Sequence, residues 1–322
     1  MLLEPPRSGD VYLRTGVLMS TCVTIQVVGH GSNPQQVLDR GESVDRAFSW
    51  FRRVEECCTR FDPHSELMRL SAQIGVPVPV SALLYEAVQF AVAVAEESGG
   101  AFDPTIGHAM ESHGFNHEYR TGQIIRTDLG ERTVPPAGRT LSGPPVTYRD
   151  VHLDPAPKTI TLVRPLVLDL GAVAKGLAID MAARELSPLD DYAIDAGGDL
   201  YVAGCNPDGA PWSIGIRHPR RQDLLFDSIR VSNMAVCTSG DYERRRPGAH
   251  HILDPRTGTS AEEVASVTVV APTAMAADAL ATAAFVLGPI AGIELLERHG
   301  VNGLVVSPTL ERHSTRDMPS VG

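Results

Sequence analysis

Along residues 11–28 apolar and polar side chains alternate with a period of two, the pattern of a half-buried strand. From 39 to 58, DRGESVDRAFSWFRRVEECC, the apolar residues return at helical spacing instead, so a strand feeding a helix is the simplest reading of this part of the chain. A second helix is predicted in SALLYEAVQFAVAVAEESGG, where Ser81 can cap free first-turn amides and Gly99 and Gly100 can end the helix. Residues 104–150, rich in Gly, Pro, His and charge, read as loops and short strands. Beyond them PLVLDLG reads as a short apolar strand, AVAKGLAIDMAARELS as the following helix and YAIDAGGDLYVAG as a strand broken by a glycine turn. WSIGIRHP, SIRVSNMAVCTSG and SVTVVAP continue the strand pattern to residue 271, and the alanine-rich TAMAADALATAAFVLG is the clearest helix. Runs of strands separated by a few long helices predict an α+β fold and not a regularly alternating βαβ one. A single domain over residues 1–322 is expected, with 150–165 as the place where two subdomains would part.

Composition narrows the function. A chain of 322 residues, 43% of them hydrophobic, can bury a sizeable core. Its 28 basic against 39 acidic residues, net charge -11, argue against binding to nucleic-acid phosphates or an anionic membrane, leaving small molecules or proteins as partners. No run of 18 apolar residues occurs and MLLEPPRSGDVYLRTG has no basic-then-apolar leader, so a cytoplasmic location without a transmembrane segment is expected. The five cysteines show no CxxC spacing and read as small core residues.

The last alanine-rich helix carries the most informative chemistry. Between Ala274 and Leu287 its only polar side chains are Asp278 and Thr282, on one face. A carboxylate on a helix that is apolar nearly all round must be paired with a basic group or bind a cation, and Asp plus a hydroxyl suits magnesium. At LDLGAVAKG, residues 168–176, a strand–Gly–helix junction with Lys175 in the first turns can hold an anion, or can be structural. Of the adjacent His250 and His251, only one can face a given pocket from a strand, where its imidazole would serve as a general base; the other belongs in the core or in solvent. Arg244, Arg245 and Arg246 read as a solvated face, with one able to reach a phosphate as the other reading. In AIDAGGDL, Gly197, Gly198 and Asp199 fit either close approach to a ligand or a tight hairpin. GGAFDPTIG, with Asp103, has the residues of a binding loop, whereas the spacing of His108, His113 and His117 matches no zinc pattern.

Taken together, SELMRL, GGAFDPTIG, LDLGAVAKGLAID, DAGGDLYVAG, TSGDYERRR, HHILDPRTG and SVTVVAPTAMAADALATAAFVLG, in this order over most of the chain, resemble the FAD:protein FMN transferase (ApbE-like) family. The resemblance implies a T-fold-like α+β protein, with mixed or antiparallel sheets, that binds FAD in a cleft with Mg2+ at the pyrophosphate. The metal ligands it implies are Asp278, Thr282 and the carbonyl of Ala172. It places Met19, Phe61, Ala101, Phe102, Asp103, Asp169, Lys175 and Ile252 against the flavin nucleotide, with Phe61 where many relatives carry tyrosine. It further implies transfer of FMN to a threonine of an acceptor flavoprotein, with AMP leaving and His251, or else His250, as base. An FAD pyrophosphatase would use the same groups with water as nucleophile; a non-catalytic flavin carrier would need neither metal nor base. The segment HAMESHGFNH, residues 108–117, departs from the family's usual apolar run at the flavin end.

Overall fold

The alternation over 11–28 divides into two strands, β1 (Asp10–Leu18) and β2 (Thr21–Gly29), paired antiparallel through a turn at Met19 and Ser20. Both turn residues have positive φ, 51° and 64°, the pair of left-handed conformations that a two-residue hairpin demands. Neither is the Asn or Gly that normally announces such a turn, so the pattern alone reads as one strand and the hairpin is a correction. The computed structural model describes residues 10–29, 34–117, 121–125, 127, 145–221, 223–243, 245–246 and 249–319.

After the hairpin come α1 (Pro34–Cys58), α2 (Glu66–Ser71), β3 (Val78–Pro79) and α3 (Ala82–Glu97). Ser81 does cap α3, its hydroxyl accepting from the Leu84 amide, and Gly99 and Gly100 leave the helix with φ of 62° and 83°. The segment read as loops, 104–150, contains a short helix, α4 (Gly107–Ser112); beyond it comes the hairpin of β4 (Val151–Asp154) and β5 (Thr159–Leu162), the latter also pairing with β3. PLVLDLG is not a ladder strand. Its Leu166, Val167, Leu168 and Leu170 are buried, yet it makes only a lone bridge between Val167 and Ile106 before α5 (Gly171–Leu186) begins, so burial and not sheet pairing explains its apolarity.

Next are β6 (Tyr192–Ala196), β7 (Asp199–Ala203), β8 (Trp212–Arg217), β9 (Leu225–Val231) and β10 (Met234–Gly240). Four two-residue strands follow, β11 (Arg245–Arg246), β12 (Ala249–His250), β13 (Leu253–Asp254) and β14 (Thr259–Ser260). The chain ends in β15 (Ser266–Ala271), α6 (Ala274–Leu287), α7 (Pro289–Arg298), β16 (Asn302–Val306) and β17 (Arg312–Ser314).

One antiparallel sheet of eight strands, in the order β1-β2-β6-β7-β10-β15-β16-β17, organises the fold as the expected α+β type. Its central strands are buried on both faces. On β15, Val267, Val269 and Ala271 join the helix-side core while Val270 joins Trp212, Ile216 and Ile229 of the β8–β9 hairpin on the other side. This period-two division explains why β15 is buried at every position, its polar Ser266 and Thr268 included. On the helix side α5 packs between α1 and α6. Cys57, Cys58 and Cys237 are buried as expected, but Cys205 is half-buried and Cys22 is exposed, because on β2 it alternates with Val23, Ile25 and Val27, which face the helices. Among the described residues no helix is long and apolar enough to cross a membrane.

Candidate active site

The helices α5 and α6 meet backbone to backbone. A Cβ on Gly176 would lie 2.5 Å from the Ala274 carbonyl oxygen and the Met275 Cα, so only glycine permits this approach. One turn further on, the Asp180 carboxylate accepts from the amides of Ala274 at 2.7 Å and Met275 at 2.9 Å, satisfying two of the free donors at the start of α6. The two helices are thereby locked in register, which brings the first turns of α5, with Ala172 and Lys175, beside the face of α6 that carries Asp278 and Thr282.

These residues line a cleft of about 1160 Å³, whose walls also include Met19, Phe61, Ala101, Phe102, Asp103, Asp169, His251 and Ile252. Asp278 is buried, and Thr282 Oγ1 lies 3.2 Å from Ser239 Oγ. Lys175 forms an ion pair with Asp199, which is 2% exposed. Burial alone would pull the ammonium's pKa down, but Asp199 and then Asp278 outweigh it and hold the group well above its ordinary value, so Lys175 stays charged. Asp278, Thr282 and Ala172 all line this cleft, and oxygen donors such as a carboxylate and a hydroxyl are the chemistry that suits magnesium and not zinc or copper.

Asp103 plays a framing part. Its Oδ1 accepts from the Thr105 amide and hydroxyl and its Oδ2 from the Tyr148 amide at 3.0 Å, while burial raises its pKa against the lowering effect of those bonds. Asp169 accepts from the Gly171 amide at 2.8 Å, holding the start of α5. The histidines divide: His251, just past the end of β12, lines the cleft, and His250 is buried with its ring edge-on to Phe285. His250 accepts at Nδ1 from the Ile252 amide and donates from Nε2 to the Ala261 carbonyl at 2.8 Å, so both ring nitrogens are occupied. It is a satisfied core histidine, and the base reading of it is corrected accordingly.

Three further expected site residues are not brought to the cleft wall. Gly197 and Gly198, with φ of 69° and 97°, form the tight β6–β7 turn, where a Cβ on Gly197 would meet Thr21 Oγ1 at 2.0 Å. Asp199 lies behind Lys175 and accepts from the Thr238 amide at 3.1 Å, so it acts on the site through the lysine. His113 lies 2.8 Å through Nε2 from the Gly258 carbonyl, and no group of three or more His, Cys, Asp or Glu side chains among the described residues is placed to hold a metal. Arg244 lies outside the described residues. Sequence reasoning missed Ser20, Arg60, Ser239 and Glu243, all of which line the cleft. For Arg60 the available signal was its place between Thr59 and Phe61 just ahead of SELMRL; nothing local marks the others.

A model of the ApbE family matches residues 19–305. The chain is 33% identical over 292 residues to the FAD:protein FMN transferase of Treponema pallidum, covering 83% of this chain and 77% of that one. It is 31% identical over 302 residues to that of Haemophilus influenzae, covering 89% and 84%. Among solved structures it is similar to the ApbE protein of Thermotoga maritima, with TM-score 0.79 and 30% identity over 95% of this chain and 97% of that one. The flavin transferase ApbE of Vibrio cholerae gives TM-score 0.79 and 26% identity over 96% and 98%.

Proposed function

The chain belongs to the ApbE family, and from that membership we propose that it is an FAD:protein FMN transferase, cleaving FAD and attaching the FMN half to a threonine of an acceptor flavoprotein while AMP leaves. The observation that carries the reading is the convergence, in one cleft of about 1160 Å³, of the charged Lys175, the oxygen-bearing Asp278 and Thr282, and His251, drawn from elements far apart in sequence. The chain's own groups have separable tasks. Phe61, Ala101 and Phe102 bind the apolar faces of the dinucleotide, with Met19 and Ile252 closing the walls. Asp278, Thr282 and the Ala172 carbonyl would hold Mg2+, which when bound supplies charge neutralisation at the pyrophosphate.

Lys175 carries a fixed positive charge toward the same pyrophosphate, and Asp199 behind it keeps the side chain pointed and protonated. The acceptor hydroxyl attacks the phosphorus on the FMN side, the bond to the bridging oxygen of AMP breaks, and His251 takes the hydroxyl proton. The product is an FMN phosphoester on threonine. AMP release from FAD is therefore expected only with Mg2+ and a threonine-containing acceptor polypeptide, accompanied by flavin on that polypeptide, and to stop with EDTA. Free FMN and AMP formed without acceptor would mean that water is the nucleophile, and no AMP under any condition would leave a flavin carrier.

A further inference from the structure

We propose that Arg60 is a positioning residue that sets the flavin-stacking ring and the phosphate-binding helix turn in one register, an inference that rests on the flavin reading above. Its guanidinium is 4% exposed, and its carbon lies 4.4 Å from the centre of the Phe61 ring. Nε donates to Asp169 Oδ2 at 2.7 Å, and Nη2 donates to the Phe115 carbonyl. Nη1 stands 4.0 Å from Glu111 Oε1 and makes no hydrogen bond among the described residues. Each partner is itself tied down. The other oxygen of Asp169 accepts from the Gly171 amide, and Glu111 accepts from the Thr127 amide and hydroxyl.

One buried cation therefore joins the segment bearing Phe61, the segment after α4 and the first turn of α5 with Ala172 and Lys175. Stability alone does not call for this arrangement, because a buried ion pair is matched or bettered by apolar residues of the same volume. What a guanidinium supplies and an apolar group cannot is a rigid plane, which fixes the angle between the ring stacked on it and the carboxylate that it grips edge-on. Through that plane the flavin-ring end of the cleft is registered to the pyrophosphate end. Lysine keeps the charge but has neither the fork nor the face, so Arg60→Lys isolates the geometry.

The test is amide hydrogen exchange of Arg60→Lys and of the wild-type protein without ligands, followed by FAD turnover of both. Residues 59–63 and 169–175 are expected to exchange at least about tenfold faster in the variant while β15 is unchanged. At saturating FAD and acceptor, kcat is expected to fall by at least about tenfold, with a smaller change in KM. Unchanged exchange at 169–175, or an equal rise in β15, would overturn the proposal, the second outcome making Arg60 a general stabiliser only. If Arg60→Lys does not fold, Asp169→Asn breaks the same link from the other side and must show the same local pattern. Wild-type protein that releases no AMP would sink the flavin reading alone, since the exchange result stands without it.

Discussion

At the residue scale, adjacent side chains with the same chemistry have opposite fates because the backbone turns one inward and one toward the cleft. His250 is 7% exposed, fills both ring nitrogens and packs on Phe285. Replacing it with alanine should cost about 2–3 kcal/mol in urea unfolding, from lost packing and orphaned partners. His251→Ala should stay within about 0.5 kcal/mol of wild type while flavin transfer is abolished. The reverse pattern would exchange their roles. Lys175 gives a sharper separation of stability from chemistry. Lys175→Met leaves Asp199 buried without its cation and should cost about 3–5 kcal/mol, whereas adding Asp199→Asn should restore most of that loss. Both variants lack the charge at the pyrophosphate, so the double variant is expected to unfold near the wild-type urea midpoint and still release no AMP.

At the scale of elements, the helices whose caps are local were legible in the sequence. Ser81 announces α3 and the glycines after it end it; Thr273 caps α6 by accepting from the Ala276 amide. The Met19–Ser20 hairpin was not legible, because its left-handed residues carry ordinary side chains and are held there by pairing along the full length of β1 and β2. Nor was the α5–α6 junction, since Gly176 and Asp180 meet their partners nearly a hundred residues later. That junction has a pH signature. Burial pushes the Asp180 carboxyl up to about 6 from its ordinary 3.8, against the bonds from Met275 and Ala274. A carboxyl with a raised folded pKa binds its proton more tightly in the folded state. Its contribution to stability is thus full below about pH 4 and is lost as pH rises through about 6. Asp180→Asn should remove this part of the pH dependence of the urea midpoint while weakening the α6 cap. A slope between pH 4 and 6 that survives in the variant would assign it to other groups.

At the scale of the whole molecule, the sheet order explains why the site was legible only as separate words. Met19, Phe61, Asp169, His251 and Asp278 come from five parts of the chain, and only the closed arrangement of hairpin, helices and the 250s turn puts them around one cleft. Each motif alone had a bland alternative, and for Gly197 and Gly198 the bland one describes where they sit. Convergence also has a thermodynamic consequence. The oxygen donors of α5 and α6 come together only in the folded chain, so whatever binds them stabilises that state, by about 2.7 kcal/mol at a ligand concentration 100 times Kd. For a chain of this length that is a rise in Tm of roughly 5 °C. Magnesium added to the FAD-saturated protein should therefore raise Tm further, and Asp278→Ala should cancel the magnesium increment while keeping the rise due to FAD. Asp278 is buried close enough to Lys175 to raise its pKa, so the variant also frees the lysine to pair with Asp199 alone, which leaves no reason for the fold itself to fail. An equal magnesium increment in wild type and Asp278→Ala would place the ion elsewhere and remove α6 from the chemistry.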